Sequence, residues 1–190
     1  MEVLMHQRHP RVLEESEASL LVVDVQERFR SVIDNFEQMA GTCVKLVQTF
    51  RALDRPILLT EQYPKGLGKT VSQIADLLGD TSAIAKTCFS SCEADGVAGR
   101  LEQIGGRHVV VCGIEAHVCV SQSVHDLLQL GRLPHVVVDA VSSRRSLDRE
   151  LALRKMETSG AVLTTAEAAA FELMRNARHS KFKEIQSLFK

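Results

Sequence analysis

Three side chains in this 190-residue chain stand where alternating strands and helices would gather reactive groups. Asp24 closes the apolar run SLLVVDV at 19–25. Lys86 follows a brief apolar stretch at 83–85, and Cys119 follows the run 109–111 by way of Gly113. Strand ends in a parallel sheet meet along one carboxyl edge, so a carboxylate, an ammonium and a thiol could share a cleft there. That set supports nucleophilic chemistry. Asp24 could accept the thiol proton while the charge of Lys86 holds a thiolate. Cys119 also lies where a turn becomes a helical pattern, with Val120, Val124, Leu127 and Leu128 at helix spacing and Leu130-Gly131 as the stop. The positive end of a helix lowers a cysteine pKa, and its free N–H groups can hold an oxyanion. An active Cys119 is therefore expected as thiolate at neutral pH. Each residue also has a plainer reading, as a buried inert thiol, a turn-capping aspartate or a solvated lysine. Their placement at three strand ends is what favours the chemical one.

The elements that must position them can be read in order. Residues 19–25 form the first strand, continuously apolar and hence central. Residues 35–53 carry helical spacing through Phe36, Met39, Val44, Val47 and Phe50. After Pro56 comes a strand at 57–60, then a loop at 63–70 broken by Pro64, Gly66 and Gly68. A short helix at 71–78 and a brief strand at 83–85 follow. Ser90 to Glu93 has capping-box spacing, which predicts a helix running to residue 104. Beyond the strand at 109–111, two more are expected at 136–139 and 161–163, with a helix at 147–158 between them. Thr164 to Glu167 again has capping-box spacing and opens a helix at 166–174. The alternation predicts a three-layer α/β/α fold with a doubly wound, six-stranded, mainly parallel sheet. One domain is expected over 1–190, with 1–17 as an extended or loose arm.

Composition narrows the partners. A net charge of −1 offers nothing to nucleic acid, and no apolar run approaches a membrane span. Residues 1–17 are charged throughout, unlike a secretory signal. Five cysteines form an odd count without framework spacing, which suits a reducing, cytoplasmic setting. The expected partner is a small-molecule substrate. GLGKT at 66–70 superficially matches a phosphate loop, but the first glycine would fall at Tyr63, so that reading fails. Cys88 and Cys92 lack a second pair and read as core residues, and His117 reads as solvated or structural.

Taken together, VVDVQERF at 22–29, AKTCFS at 85–90, GIEAHVCV at 113–120 and TTAEAAAFEL at 164–173 resemble the isochorismatase-like cysteine hydrolases, relatives of the nicotinamidases. EQYPKGLG, VVDAVSSR and FKEIQSL are similar to the subgroup of isochorismatase domain-containing proteins, often described only as hydrolases. The resemblance implies Asp24 as general base, Lys86 as charge partner and Cys119 as nucleophile. It also implies a cis peptide joining Ile114 to Glu115, which would aim the N–H of Glu115, with that of Cys119, into an oxyanion hole. Phe29 matches a pocket-lining position, with a core phenylalanine as the equal alternative. Gln26 could face the same side as Asp24, and Tyr63 reads equally as a pocket wall or a surface anchor. The resemblance further implies a homo-oligomer.

One departure matters. Metal-binding nicotinamidases carry an Asp-x-His pair after the second strand, whereas this chain has Thr60-Glu61-Gln62-Tyr63 and no histidine between His9 and His108. No catalytic metal and no cofactor are therefore expected. Cys119 argues for acyl chemistry on a small carbonyl compound, an amide first, through a thioester. The alternatives are hydrolysis of an isochorismate-like vinyl ether or a thioester, and a binding or scaffold protein on the same fold.

Overall fold

Apolar runs too short for helices become strands, and in a computed structural model describing residues 8–79 and 81–190 they form a single sheet. The strands are β1 (Ala18–Val23), β2 (Ile57–Gln62), β3 (Ile84–Lys86), β4 (His108–Ile114), β5 (Leu133–Ser142) and β6 (Val162–Thr164). All pairings are parallel, in the order β3-β2-β1-β4-β5-β6. Chain order reverses between β1 and β4, which opens a crevice at their carboxyl ends. The helices are α1 (Phe36–Ala52), α2 (Pro64–Leu67), α3 (Ser72–Leu78), α4 (Val97–Ile104), α5 (Ser121–Gln129), α6 (Ser146–Thr158), α7 (Ala166–Met174) and α8 (Phe182–Ser187).

Successive strand residues point to opposite faces, and both faces are covered. Leu20, Val22, Val110 and Cys112 pack beneath α1, α3, α7 and α8. Leu21, Val23, Val109 and Val111 pack beneath α4, α5 and α6. Every residue of β1 is buried, as a central strand requires. The expected three-layer, doubly wound architecture is the one observed.

Some elements differ from expectation. β2 runs on through Gln62 rather than stopping at residue 60. Ser90 does cap, accepting from the Cys92 N–H at 3.2 Å, but only a 3₁₀ turn follows at Ser91–Glu93. Gly96, at φ +85°, breaks the chain before α4 begins. The loop at 63–70 contains the single-turn α2, and α8 has no counterpart in the sequence reading.

The arm is also not loose where it is described; its first seven residues lie outside the described residues. Leu13 is fully buried, and its N–H donates to Glu172 Oε2 at 2.9 Å. Arg8 Nη1 donates to the carbonyls of Leu13 (2.6 Å) and Glu172 (2.9 Å). A sequence pattern shows charge along this segment but not that α7 offers it partners. No helix among the described residues is long and apolar enough to cross a membrane.

At the amino ends of β4 and β5, His108 Nδ1 and His135 Nε2 share a hydrogen bond of 2.9 Å, and both rings are buried. His135 Nδ1 has no partner among the described residues. Burial, then the neighbouring His108 and Arg11, pushes His135 down to about 3. Burial likewise lowers His108. The native pair is thus neutral where the unfolded imidazoles, near 6.5, begin to charge. Its contribution to stability is complete above about pH 6.5 and is lost as pH falls toward 3.

Two measurements follow. Leu13→Ala should lower stability by about 2–4 kcal/mol in urea titrations, since it empties a filled site; an unchanged midpoint would show that the arm does not contribute to the core. Urea midpoints of the wild type should fall between pH 6.5 and 4, and His135→Gln should flatten that decline. Parallel curves for the two proteins would exclude the histidine pair as the cause.

Candidate active site

β1 ends at Val23, and the next residue leaves the sheet. Asp24 adopts φ +51°, unusual outside glycine, with its N–H donating to the Thr60 carbonyl at 3.2 Å. Its carboxylate is then turned inward. Thr60 Oγ1 donates to Oδ1 at 2.7 Å and Lys86 Nζ to Oδ2 at 2.7 Å. Both charged side chains are essentially shielded from solvent, at 0% exposed for Lys86 and 1% for Asp24. Lys86 ends β3 and has further acceptors in Gln62 Oε1 (2.7 Å), Phe89 O (3.0 Å) and Cys88 O (3.3 Å). A buried ion pair is tolerable when its remaining donors and lone pairs are met in this way.

Cys119 approaches from β4. A Cβ on Gly113, at φ +114°, would collide with the Val23 carbonyl, so only glycine lets β4 close on the end of β1. The Ile114–Glu115 peptide that follows is cis. Cys119 then sits inside a π turn, Ala116–Val120, marked by the 3.2 Å bond from Val120 N–H to Glu115 O. Isolated π turns recur at functional sites. Glu115 is held by its carboxylate, which accepts from Arg144 N (3.0 Å) and Arg144 Nε (3.0 Å). Ser123 Oγ donates to Cys119 O and accepts from Ser91 N–H, each at 2.7 Å, and so ties α5 to the segment after β3.

The thiol departs from the expected charge state. Burial pushes Cys119 up to about 12; the charge of Asp24 adds to this, and that of Lys86 opposes it. A helix-terminal placement would favour thiolate, but this thiol is only 6% exposed and faces a carboxylate. Resting Cys119 is a neutral thiol. Its Sγ lies 3.9 Å from Gln62 Oε1.

Asp24, Lys86 and Cys119 therefore share one crevice. Tyr63 lines an adjoining cavity of about 540 Å³ together with Lys86, Thr87, Cys88, Glu93 and Asp95. Phe29 packs against the core beneath α1. Gln26 is fully buried, with its amide bonded to backbone: Nε2 to Gln62 O (3.0 Å) and Gly68 O (2.6 Å), Oε1 from Gln62 N–H (2.8 Å). It supports the site from behind rather than forming a wall of this cavity. Gln62 was missed by sequence reasoning as a site residue. The available signal was strand length, because extending β2 to residue 62 places Gln62 opposite Lys86 in register. Among the described residues no group of three or more His, Cys, Asp or Glu could hold a metal ion.

The buried pair predicts a stability signature. Lys86→Met should cost about 3–5 kcal/mol by leaving Asp24 buried and unpaired. The double variant Asp24→Asn/Lys86→Met should recover most of that loss in denaturant titrations. Equal losses in the single and double variants would disprove the coupling.

Comparison with known proteins agrees with this architecture. The Isochorismatase domain family matches residues 18–168. A mouse protein, isochorismatase domain-containing protein 2A, is 42% identical over 184 residues, 95% of this chain and 85% of its own length. A Caenorhabditis elegans structure described as MAR1 ribonuclease is 43% identical with a TM-score of 0.89, covering 93% of this chain and 91% of that one. The Escherichia coli YcaC product, described as an octameric hydrolase of unknown specificity, shares the fold at TM-score 0.89 and 22% identity over 96% of this chain and 91% of that one. The chain belongs to the isochorismatase family.

Proposed function

We propose that this protein is a cysteine hydrolase that opens a small amide through a thioester on Cys119. The observation that supports it most is the sharing of one crevice by a buried Asp24–Lys86 pair and a neutral thiol acted on by both charges. The substrate carbonyl carbon would be attacked by Sγ as the S–H proton passes to Asp24. The carbonyl oxygen would then become an oxyanion facing the N–H groups of Glu115 and Cys119. Collapse breaks the C–N bond, and Asp24 returns the proton to the leaving nitrogen. Water, deprotonated by Asp24, then attacks the thioester carbon; the acid leaves, and the proton returns to sulfur. Lys86, hydrogen-bonded to Asp24 at 2.7 Å, holds the carboxyl group in place for each proton transfer and stabilises the thiolate as it develops. A thiol with a raised pKa suits this scheme, because charge appears on sulfur only when a carbonyl is present to receive it.

No metal or cofactor has a part in this scheme. Cys119 supports acyl transfer over vinyl-ether hydrolysis, which has no use for a thiol nucleophile. The saturated Asp24–Lys86 pair supports turnover over a purely binding role. Five free cysteines support a reducing, cytoplasmic setting. Leu147 and Leu151, exposed one turn apart on α6, support assembly as a homo-oligomer. The relative described as a ribonuclease makes RNA the necessary control substrate, although this chain's net charge of −1 gives phosphate no general attraction.

Quenched intact-mass measurements on a panel of small primary amides should show an acyl adduct confined to Cys119 and absent from Cys119→Ser. RNA should stay intact in the same preparations. Asp24→Asn separates charge from base: losing the negative charge should speed iodoacetamide labelling of Cys119 severalfold, while hydrolysis drops about 10²–10⁴-fold. No adduct with any amide, or RNA cleavage that depends on Cys119, would overturn the reading.

A further inference from the structure

Gln62 does something that neither the buried pair nor the nucleophile's turn accounts for. It is the last residue of β2 and lies opposite Lys86 in the β2–β3 register. Its main chain is held on one side by the Gln26 carboxamide, which accepts from its N–H at 2.8 Å and donates to its carbonyl at 3.0 Å. β1 has already turned away at Asp24, so the Gln26 side chain substitutes for the missing strand and continues the ladder. The side chain of Gln62 is fixed as well. Nε2 donates to Thr87 O at 2.9 Å, and this determines which end of the amide faces the crevice. Reversing the amide would set an NH₂ group against the Lys86 ammonium and a carbonyl against the Thr87 carbonyl.

With that orientation, one neutral oxygen serves two groups. Gln62 Oε1 accepts from Lys86 Nζ at 2.7 Å and lies 3.9 Å from Cys119 Sγ as acceptor of its S–H. The charges bearing on the thiol are Asp24 and Lys86. A carboxylate in place of Gln62 would add a second negative charge beside both the thiol and the ammonium. An apolar side chain would leave the S–H without this acceptor.

We infer that Gln62 is a positioning residue, whose amide oxygen fixes the Lys86 ammonium and holds the Cys119 S–H until substrate arrives. The inference rests on Cys119 being the nucleophile. Gln62 acts through Lys86 and Cys119 and takes no proton itself, and Gln26 sets it in place from behind.

The test compares Gln62→Glu and Gln62→Met by the rate at which iodoacetamide labels Cys119 at pH 8 to 9, resolved by peptide mass spectrometry. Each unit of thiol pKa changes that rate about tenfold. The Glu variant should label about tenfold more slowly, because a second carboxylate disfavours thiolate. The Met variant should label about threefold faster, because the neutral thiol loses its acceptor. A residue that only braces the fold would move both rates the same way or neither. Either result overturns the inference. Should the Met variant fail to fold, the near-isosteric Glu variant decides alone, and an unchanged rate there is equally fatal. Labelling requires no turnover, so the two readings fail separately. Opposite rate changes without any amide hydrolysis would retain the positioning role and remove the amidase. Hydrolysis through Cys119 with unmoved rates would do the reverse.

Discussion

The ion pair between Asp24 and Lys86 is the constraint on which the rest of this structure depends. Placing two opposite charges out of water carries a desolvation penalty of several kcal/mol per ion, and mutual attraction offsets it only when every remaining hydrogen-bonding position is filled. The surrounding elements meet that demand. β2 supplies the Thr60 hydroxyl and the Gln62 amide, and the segment after β3 supplies the carbonyls of Cys88 and Phe89. The left-handed backbone at Asp24 is what points the carboxylate toward them. Strand order serves the same end, because β3, β2 and β1 lie side by side and bring residues distant in sequence to one level.

The turn that carries Cys119 is a second construction, built against the first. Gly113 permits β4 to touch the end of β1, the π turn carries Cys119 to within 3.9 Å of the Gln62 oxygen that Lys86 also uses, and Arg144 and Ser123 hold the two ends of that segment. Burial serves opposite purposes in the two halves. It makes the ion pair dependent on its partners, and it keeps the thiol protonated.

Stability is anchored at the other end of the sheet. The arm packs Leu13 against α7, and the His108–His135 pair is buried where β4 and β5 begin. These groups lie far from the carboxyl edge, so the fold can be strengthened there without disturbing the reactive groups. The neutral imidazoles make the cost of that arrangement specific to acid.

Much of this was legible in the chain itself. Short apolar runs separated by amphipathic stretches determined the strands, the helices between them and the parallel, doubly wound sheet, because period and length are local properties. Asp24, Lys86 and Cys119 could be singled out for the same reason: each follows an apolar run at a strand end. Other features came only from the tertiary structure. Gln26 faces backbone and Gln62 faces Lys86 because β2 runs farther than its apolar residues indicate, and a ladder's length is set by its neighbours. The arm is packed because α7 offers Glu172 to Leu13. The charge state of Cys119 followed the same rule. A helix-start pattern points toward thiolate, while burial beside a carboxylate points the other way, and only the packed structure says how much water the sulfur retains.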